Sequence, residues 1–245
     1  MAQNTAMRSG RVHRLGQRLG ALFFGGQCFL CRGGASALLC GDCDASLPAL
    51  AGERCPRCAL AAPRGATCGR CLAEPPAFDA TVAALEYRFP CDALVTALKF
   101  DGVLALAPLL ADRLGARVRA ATSERPDCLV PVPLSARRLA ERGFNPAAEL
   151  ARCLSAATGI RVALDACVRP RDTPAQAGLA LRERRANVRG AFEVPRLLAG
   201  ARIAVVDDVM TSGATLEEVA RALKRAGAAQ VVNWVVARTP PPEAA

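Results

Sequence analysis

No stretch of about 18 consecutive apolar residues occurs in this chain of 245 residues, which argues against a membrane-spanning helix. Aromatic residues make up only 4%, so no cluster of rings offers itself as a platform for a nucleobase. With 52% of residues hydrophobic, many of them alanine, the expected core is close-packed helix and sheet. Arg8, Arg11, Arg14 and Arg18 resemble the start of a signal sequence, but the apolar run Ala21–Phe24 is far short of the about 7–15 residues such a segment needs. Val12, Leu15, Leu19 and Leu22 fall at helical spacing instead, and residues 1–26 read as a short amphipathic helix docked on the body. No CxxC pair lies beyond residue 72. A disulfide-held secreted domain is short and dense in cysteine throughout, so the expected location is the cytoplasm.

Twelve cysteines are present, and eight of them fall in four CxxC pairs. Eight residues separate Cys28-x₂-Cys31 from Cys40-x₂-Cys43, and nine separate Cys55-x₂-Cys58 from Cys68-x₂-Cys71. Each CxxC turn presents two sulfurs to one metal, and two turns complete a tetrahedral tetrathiolate site. Soft thiolates favour zinc or an iron–sulfur cluster, and paired knuckles favour zinc. Sequential pairing, a cross-braced arrangement and a single surviving site all remain open at this stage. The metal is expected to be structural, because all positions are thiolates and a segment of about 45 residues has too little core to hold itself together. Arg54, Arg57, Arg64 and Arg70 add positive charge on a face read as solvated. Cys91, Cys128, Cys153 and Cys167 stand alone among apolar neighbours and read as core residues.

The formal net charge is +10. Two Zn²⁺ bound by eight thiolates leave roughly +6, which still favours phosphorylated small molecules or nucleic acid, single-stranded DNA included.

Residues 27–75 read as the cysteine-rich module and 78–239 as an α/β domain, and the expectation for 240–245 is a disordered tail. Strands are expected at Thr81–Phe89, Cys128–Pro133, Arg202–Val206 and Val231–Val236. A helix capped by Asp92 would carry Leu94, Val95, Leu98 and Leu104, and another would start at Asn145-Pro146 and stop at Gly159. Leu216, Val219, Ala220 and Leu223 give a third helical face, with Glu217 and Glu218 in its first turn and Lys224 and Arg225 in its last. The alternation implies a mostly parallel sheet with helices on both faces.

The Arg202–Val206 strand leads into Asp207-Asp208, then Val209, Met210, Thr211, Ser212, Gly213, Ala214 and Thr215, then a helix. Ligands in parallel α/β sheets bind where strands end and helices begin. A helix start offers N–H groups and a positive dipole end to a phosphate, and Gly213 lets the backbone approach it closely. The two carboxylates accept hydrogen bonds only, which suits ribose hydroxyls or Mg²⁺.

Residues 205–215 resemble the phosphoribosyl pyrophosphate (PRPP) signature of type I phosphoribosyltransferases. The longer pattern is similar to the ComF family, associated with competence for DNA uptake. It comprises the CxxC pairs, Tyr87 with Leu98-Lys99-Phe100, Pro131-Val132-Pro133 and Arg142-Gly143-Phe144-Asn145. It continues with Arg169, Thr173, Gln176, Leu179, Arg185 and Asn187, and ends in Gly190-Ala191-Phe192. The resemblance implies a type I phosphoribosyltransferase-like fold with an N-terminal double zinc ribbon. Asp207 and Asp208 would hold the ribose hydroxyls and Thr211–Thr215 the 5′-phosphate. Pro133, Leu134, Ser135 and Arg137, with Arg138 and Arg142 after them, occupy the pyrophosphate-loop region. Residues 171–189 would be a flap whose Gln176, Arg182, Arg184, Arg185 and Arg189 close over pyrophosphate with Mg²⁺. Thr211 stands where hypoxanthine-type enzymes carry an acid, which resembles the orotate type. Trp234 reads as a core residue, and the acceptor is unassigned. Two functions follow: transfer of phosphoribosyl to an unknown acceptor, or noncatalytic PRPP binding or nucleic-acid handling, with a competence helicase as the partner the resemblance implies. A structural zinc adaptor is a third reading.

Overall fold

The computed structural model describes residues 26–122, 124–172 and 187–240. The cysteine-rich part holds two five-residue helices, α1 (Gly41–Ala45) and α2 (Gly69–Ala73). Beyond it come β1 (Ala80–Glu86), α3 (Cys91–Phe100), α4 (Leu106–Ala121), β2 (Cys128–Pro131), α5 (Ala136–Arg142), α6 (Pro146–Thr158), β3 (Arg202–Met210), α7 (Ala214–Arg225) and β4 (Gln230–Arg238). The strands lie in the order β1-β4-β3-β2 and every pairing is parallel. All carboxyl ends therefore share one edge. The expected N-terminal helix lies outside the described residues, as do Thr173, Gln176, Leu179, Arg182, Arg184 and Arg185 of the expected flap.

Strand alternation divides the core. Ile203 and Val205 of β3 face one side and Ala204 and Val206 the other, all fully buried. The first side is covered by Leu216, Val219, Ala220 and Leu223 of α7, the helical face legible in the sequence. Each large side chain so buried stabilises the fold by about 1.5–3 kcal/mol. The second side is covered by α3, α4 and α6 and contains Trp234, which is a core residue as expected. Asn145 caps α6 by accepting from Ala147 N at 3.0 Å, Pro146 follows it, and Gly159 ends the helix at φ 70°.

Several boundaries differ from the sequence expectations. β1 stops at Glu86 and leaves Phe89 exposed. Asp92 sits inside the first turn of α3, whose cap is Pro90, and Leu104 lies beyond the helix end and is half exposed. β2 ends at Pro131, because Ser135 caps a helix close behind it. β3 runs four residues further than expected, so both signature acids lie within the strand. Its turn is confined to residues 211–213, and Ala214 and Thr215 already belong to α7.

The two cysteine clusters contribute to the body's core. Cys28, Leu38, Leu39 and Leu47 join the side covered by α3 and α4, whereas Leu50, Cys55, Cys58, Ala59 and Cys71 join the side covered by α7. The chain passes from one cluster to the other along the β1 edge. There Leu50 N donates to Ala84 O at 2.9 Å and Glu86 N to Pro48 O at 2.7 Å, with an antiparallel bridge between Ala49 and Leu85. Arg113 of α4 pairs with Asp44 of α1, and Arg54 pairs with Glu86 at 3.0 Å. Arg57 donates to Phe78 O at 3.3 Å. Two of the four ribbon arginines thus tie the module to the sheet. No helix among the described residues is long and apolar enough to cross a membrane.

Candidate functional site

The cysteines group sequentially. The sulfurs of Cys28, Cys31, Cys40 and Cys43 lie within 4.8 Å of one another, as do those of Cys55, Cys58, Cys68 and Cys71. Zn–S bonds of about 2.3 Å arranged tetrahedrally imply sulfur–sulfur edges near 3.8 Å. The Cys31–Cys40 and Cys58–Cys68 separations are 3.8 Å and 3.6 Å. Burial raises the Cys28 thiol, yet N–H groups of Cys31, Cys40 and Leu30 bring it down to about 6. At Cys55, burial is likewise outweighed by N–H groups of Cys68, Cys58 and Arg57, and the thiol falls to about 7. Such N–H donors at a knuckle favour the thiolate that binds metal. The donor set fits two structural zinc sites. Within the clusters the neighbouring sulfurs and burial raise Cys43, Cys58 and Cys71 instead, and burial alone pushes the isolated Cys167 up to about 12, in keeping with an inert core thiol.

At the carboxyl edge of the sheet, Asp208 is buried and its carboxylate meets Lys99 Nζ of α3 at 2.6 Å. Burial opposes the charge of Lys99, but Asp208 and Asp207 outweigh it and raise its pKa. Asp207 accepts from Asp208 N at 2.9 Å. Burial and the neighbouring Asp208 push Asp207 up to about 7, against the opposing pull of Lys99. Sequence reasoning noted Lys99 only as part of a pattern; its pairing with Asp208 depends on where α3 docks.

Raising a carboxyl above its unfolded value makes the folded state bind more protons between about pH 4 and pH 7. Stability from Asp207 is therefore full below the unfolded pKa and is lost as pH rises through about 7. Asp207→Asn removes this loss. Its stability advantage over the parent protein should grow by about 1–2 kcal/mol from roughly pH 5.5 to pH 8, measured by urea unfolding at both pH values. An unchanged difference sinks the assignment.

After β3 the chain turns at Gly213, with φ at 84° in the left-handed region, and enters α7, where the Ser212 hydroxyl accepts from Ala214 N at 3.3 Å. A Cβ at Gly213 would lie 2.7 Å from Met210 Cε, so glycine is required for both conformation and space. The start of α7 opens on a cleft lined by Ser212, Gly213 and Ala214, where the arginines Arg70, Arg189 and Arg221 alternate with the acids Glu74, Glu217 and Glu218. Arg70, read from sequence as a solvated charge, thus stands beside the turn. Glu217 accepts from Ala77 N at 2.9 Å and Glu218 from Gly190 N at 3.1 Å. These two acids fasten the segments on either side of the cleft as well as suiting the helix dipole.

The residues after β2 lie beside this edge, since Val132 N donates to Val206 O at 2.9 Å. Pro133 and Leu134 are half-buried, and Arg137, Arg138 and Arg142 ride on α5 rather than on a loop. Ser135 is buried and donates to Asp172 at 2.6 Å, and Arg137 also pairs with Asp172. The Ser135 and Arg137 hydrogen bonds hold the Asp172 carboxyl below the usual carboxylate range. Arg142 stacks on the exposed Phe100 ring at 5.0 Å. Of the flap residues, Gln176, Arg182 and Arg185 lie outside the described residues.

A family model described as phosphoribosyl transferase domain matches residues 107–243, and one described as double zinc ribbon domain matches residues 19–72. The chain is 36% identical over 221 residues to DNA utilization protein YhgH of Salmonella typhimurium, covering 87% of this chain and 97% of that one. It is 31% identical over 227 residues to competence protein F of Haemophilus influenzae, covering 88% and 98%. Among solved structures it is similar to the purine phosphoribosyltransferase from Pyrococcus horikoshii, at 22% identity and a TM-score of 0.34, over 57% of this chain and 78% of that one.

Proposed function

The chain belongs to the phosphoribosyl transferase domain family, carries a double zinc ribbon and has relatives named for DNA utilization and competence, and from that membership we propose that it binds PRPP. The observation that carries the reading is the glycine-led start of α7, joined by the short 211–213 turn to a strand that carries two acids near its carboxyl end. In this reading Asp207 and Asp208 accept from the ribose hydroxyls, and the 211–215 backbone and hydroxyls hold the 5′-phosphate, with Arg70 and Arg189 adding positive charge at its rim. Ser135, Arg137 and Arg138 face the pyrophosphate end, and flap residues Gln176, Arg182 and Arg185 close over it. Mg²⁺ bound with the pyrophosphate would supply positive charge to the leaving group beside Arg137 and Arg138.

Whether bound PRPP is consumed separates an enzyme from an accessory protein that holds PRPP during DNA handling. Thr211, with no acid or base side chain to take up a proton from a purine nitrogen, argues against a hypoxanthine-type acceptor. Calorimetric titration of PRPP with and without Mg²⁺ should show one Mg²⁺-dependent site. Release of pyrophosphate on adding DNA or free bases selects the enzyme. No heat at millimolar PRPP removes the proposal.

A further inference from the structure

Arg238 ends β4 and is 2% exposed. Its hydrogen bonds run to backbone carbonyls rather than to a carboxylate. Nε donates to Cys58 O at 2.8 Å, and Nη1 donates to Met210 O at 2.8 Å, Thr239 O at 2.9 Å and Thr211 O. A guanidinium buried this deeply is costly unless both its N–H groups and its charge are compensated. Carbonyls satisfy the N–H groups of Nε and Nη1. Burial works most strongly against the charge and Arg70 adds to it, while the Cys58 and Cys71 sulfurs offset part of this, and a zinc tetrathiolate carries a net charge of −2. One side chain therefore links the second cysteine cluster to the turn after β3.

The direction of these bonds matters. In a trans peptide the carbonyl of one residue and the N–H of the next point opposite ways. By drawing the carbonyls of Met210 and Thr211 toward itself, Arg238 turns the N–H groups of Thr211 and Ser212 away from itself. Successive N–H groups fixed in this way make an anion-binding concavity, which Gly213 continues into the start of α7.

We propose that Arg238 is the positioning residue that presets the phosphate-binding turn, and that it does so only while the second cysteine cluster is folded around its metal. This rests on the reading of the turn as a phosphate cradle. It makes metal in the second cluster, rather than the first, a condition for gripping the 5′-phosphate.

The test uses the full chain with Arg238→Met and Arg238→Lys. Zinc content, hydrogen exchange without ligand, and binding of Mg²⁺–PRPP and of Mg²⁺–pyrophosphate are measured. Arg238→Met should retain two zinc equivalents and bind pyrophosphate within about 2-fold of the parent. It should lose about 30-fold or more in PRPP affinity, roughly 2 kcal/mol, and the amides of residues 211–214 should exchange at least about 10-fold faster. Arg238→Lys, with a point charge in place of a fork, should fall between the two. Unchanged exchange in the turn overturns the proposal, and so does equal acceleration throughout the chain. If Arg238→Met does not fold, stepwise metal removal from the parent protein decides. Losing the second cluster's metal must loosen residues 211–214 before the sheet, and simultaneous loosening overturns the idea. Absence of PRPP binding by the parent protein defeats the phosphate reading, while the exchange data still decide the role of Arg238.

Discussion

Asp208→Asn lowers PRPP affinity by about 100-fold, near 2.7 kcal/mol, while zinc content stays at two equivalents. The size follows from the charge involved, because hydrogen bonds to an ionised acceptor are worth about 1.5–3 kcal/mol each. The Asp208 carboxylate lies 2.6 Å from Lys99 Nζ, so removing its charge takes an acceptor from the ribose and leaves the lysine without its counter-charge. Asp207, pushed up to about 7 by burial and by Asp208, is half protonated at neutral pH. The variant should therefore also shift the pH dependence of binding, since Asp207 loses its acidic neighbour and titrates lower. Calorimetry across roughly pH 6–8.5 reads both effects. Parental affinity in Asp208→Asn would remove the diacid from the site.

Metal loss has the other large effect, and it should be unequal between the clusters. In the first cluster Cys28 is buried but Cys31 is exposed. In the second, Cys55, Cys58 and Cys71 are all buried in the core shared with β3 and α7. Taking the metal from the second cluster strands several thiols inside the protein, and binding energy of this kind is folding energy. A mercurial titration of the native protein should release one zinc early with little change in circular dichroism. The second should leave late, together with loss of the fold. Cys58→Ser should destabilise by about 5 kcal/mol or more, and Cys31→Ser by clearly less. Two zinc ions leaving together from a protein that stays folded would contradict this.

Local chemistry was legible wherever the signal was carried by neighbouring residues. Asn145, Pro146 and Gly159 delimit α6 because capping is decided within a few positions. The cysteine pairs and the Asp207–Gly213 stretch were readable for the same reason. α4 went unassigned although Leu106, Leu110, Leu114 and Val118 recur at helical spacing and are buried, since Pro108, Gly115 and interspersed arginines masked the pattern. β3 was read too short because two acids look like the end of a strand, whereas backbone pairing with β4 continues to Met210. The Lys99–Asp208 pair and the Arg238 contacts join residues 109 and 180 positions apart in the case of Asp208 and Cys58. Only the docking of helix, ribbon and strand brings such groups together.

The crossing segment at Pro48–Leu50 has a consequence for how other proteins meet this one. It occupies backbone groups of β1 along one margin of the sheet, and on the opposite margin Leu129 exchanges hydrogen bonds with Arg161 and Ala163. Both flanks are thus shielded against edge-to-edge aggregation. A partner protein must recognise this molecule through side chains on its faces and loops, because an incoming strand finds those stretches already taken.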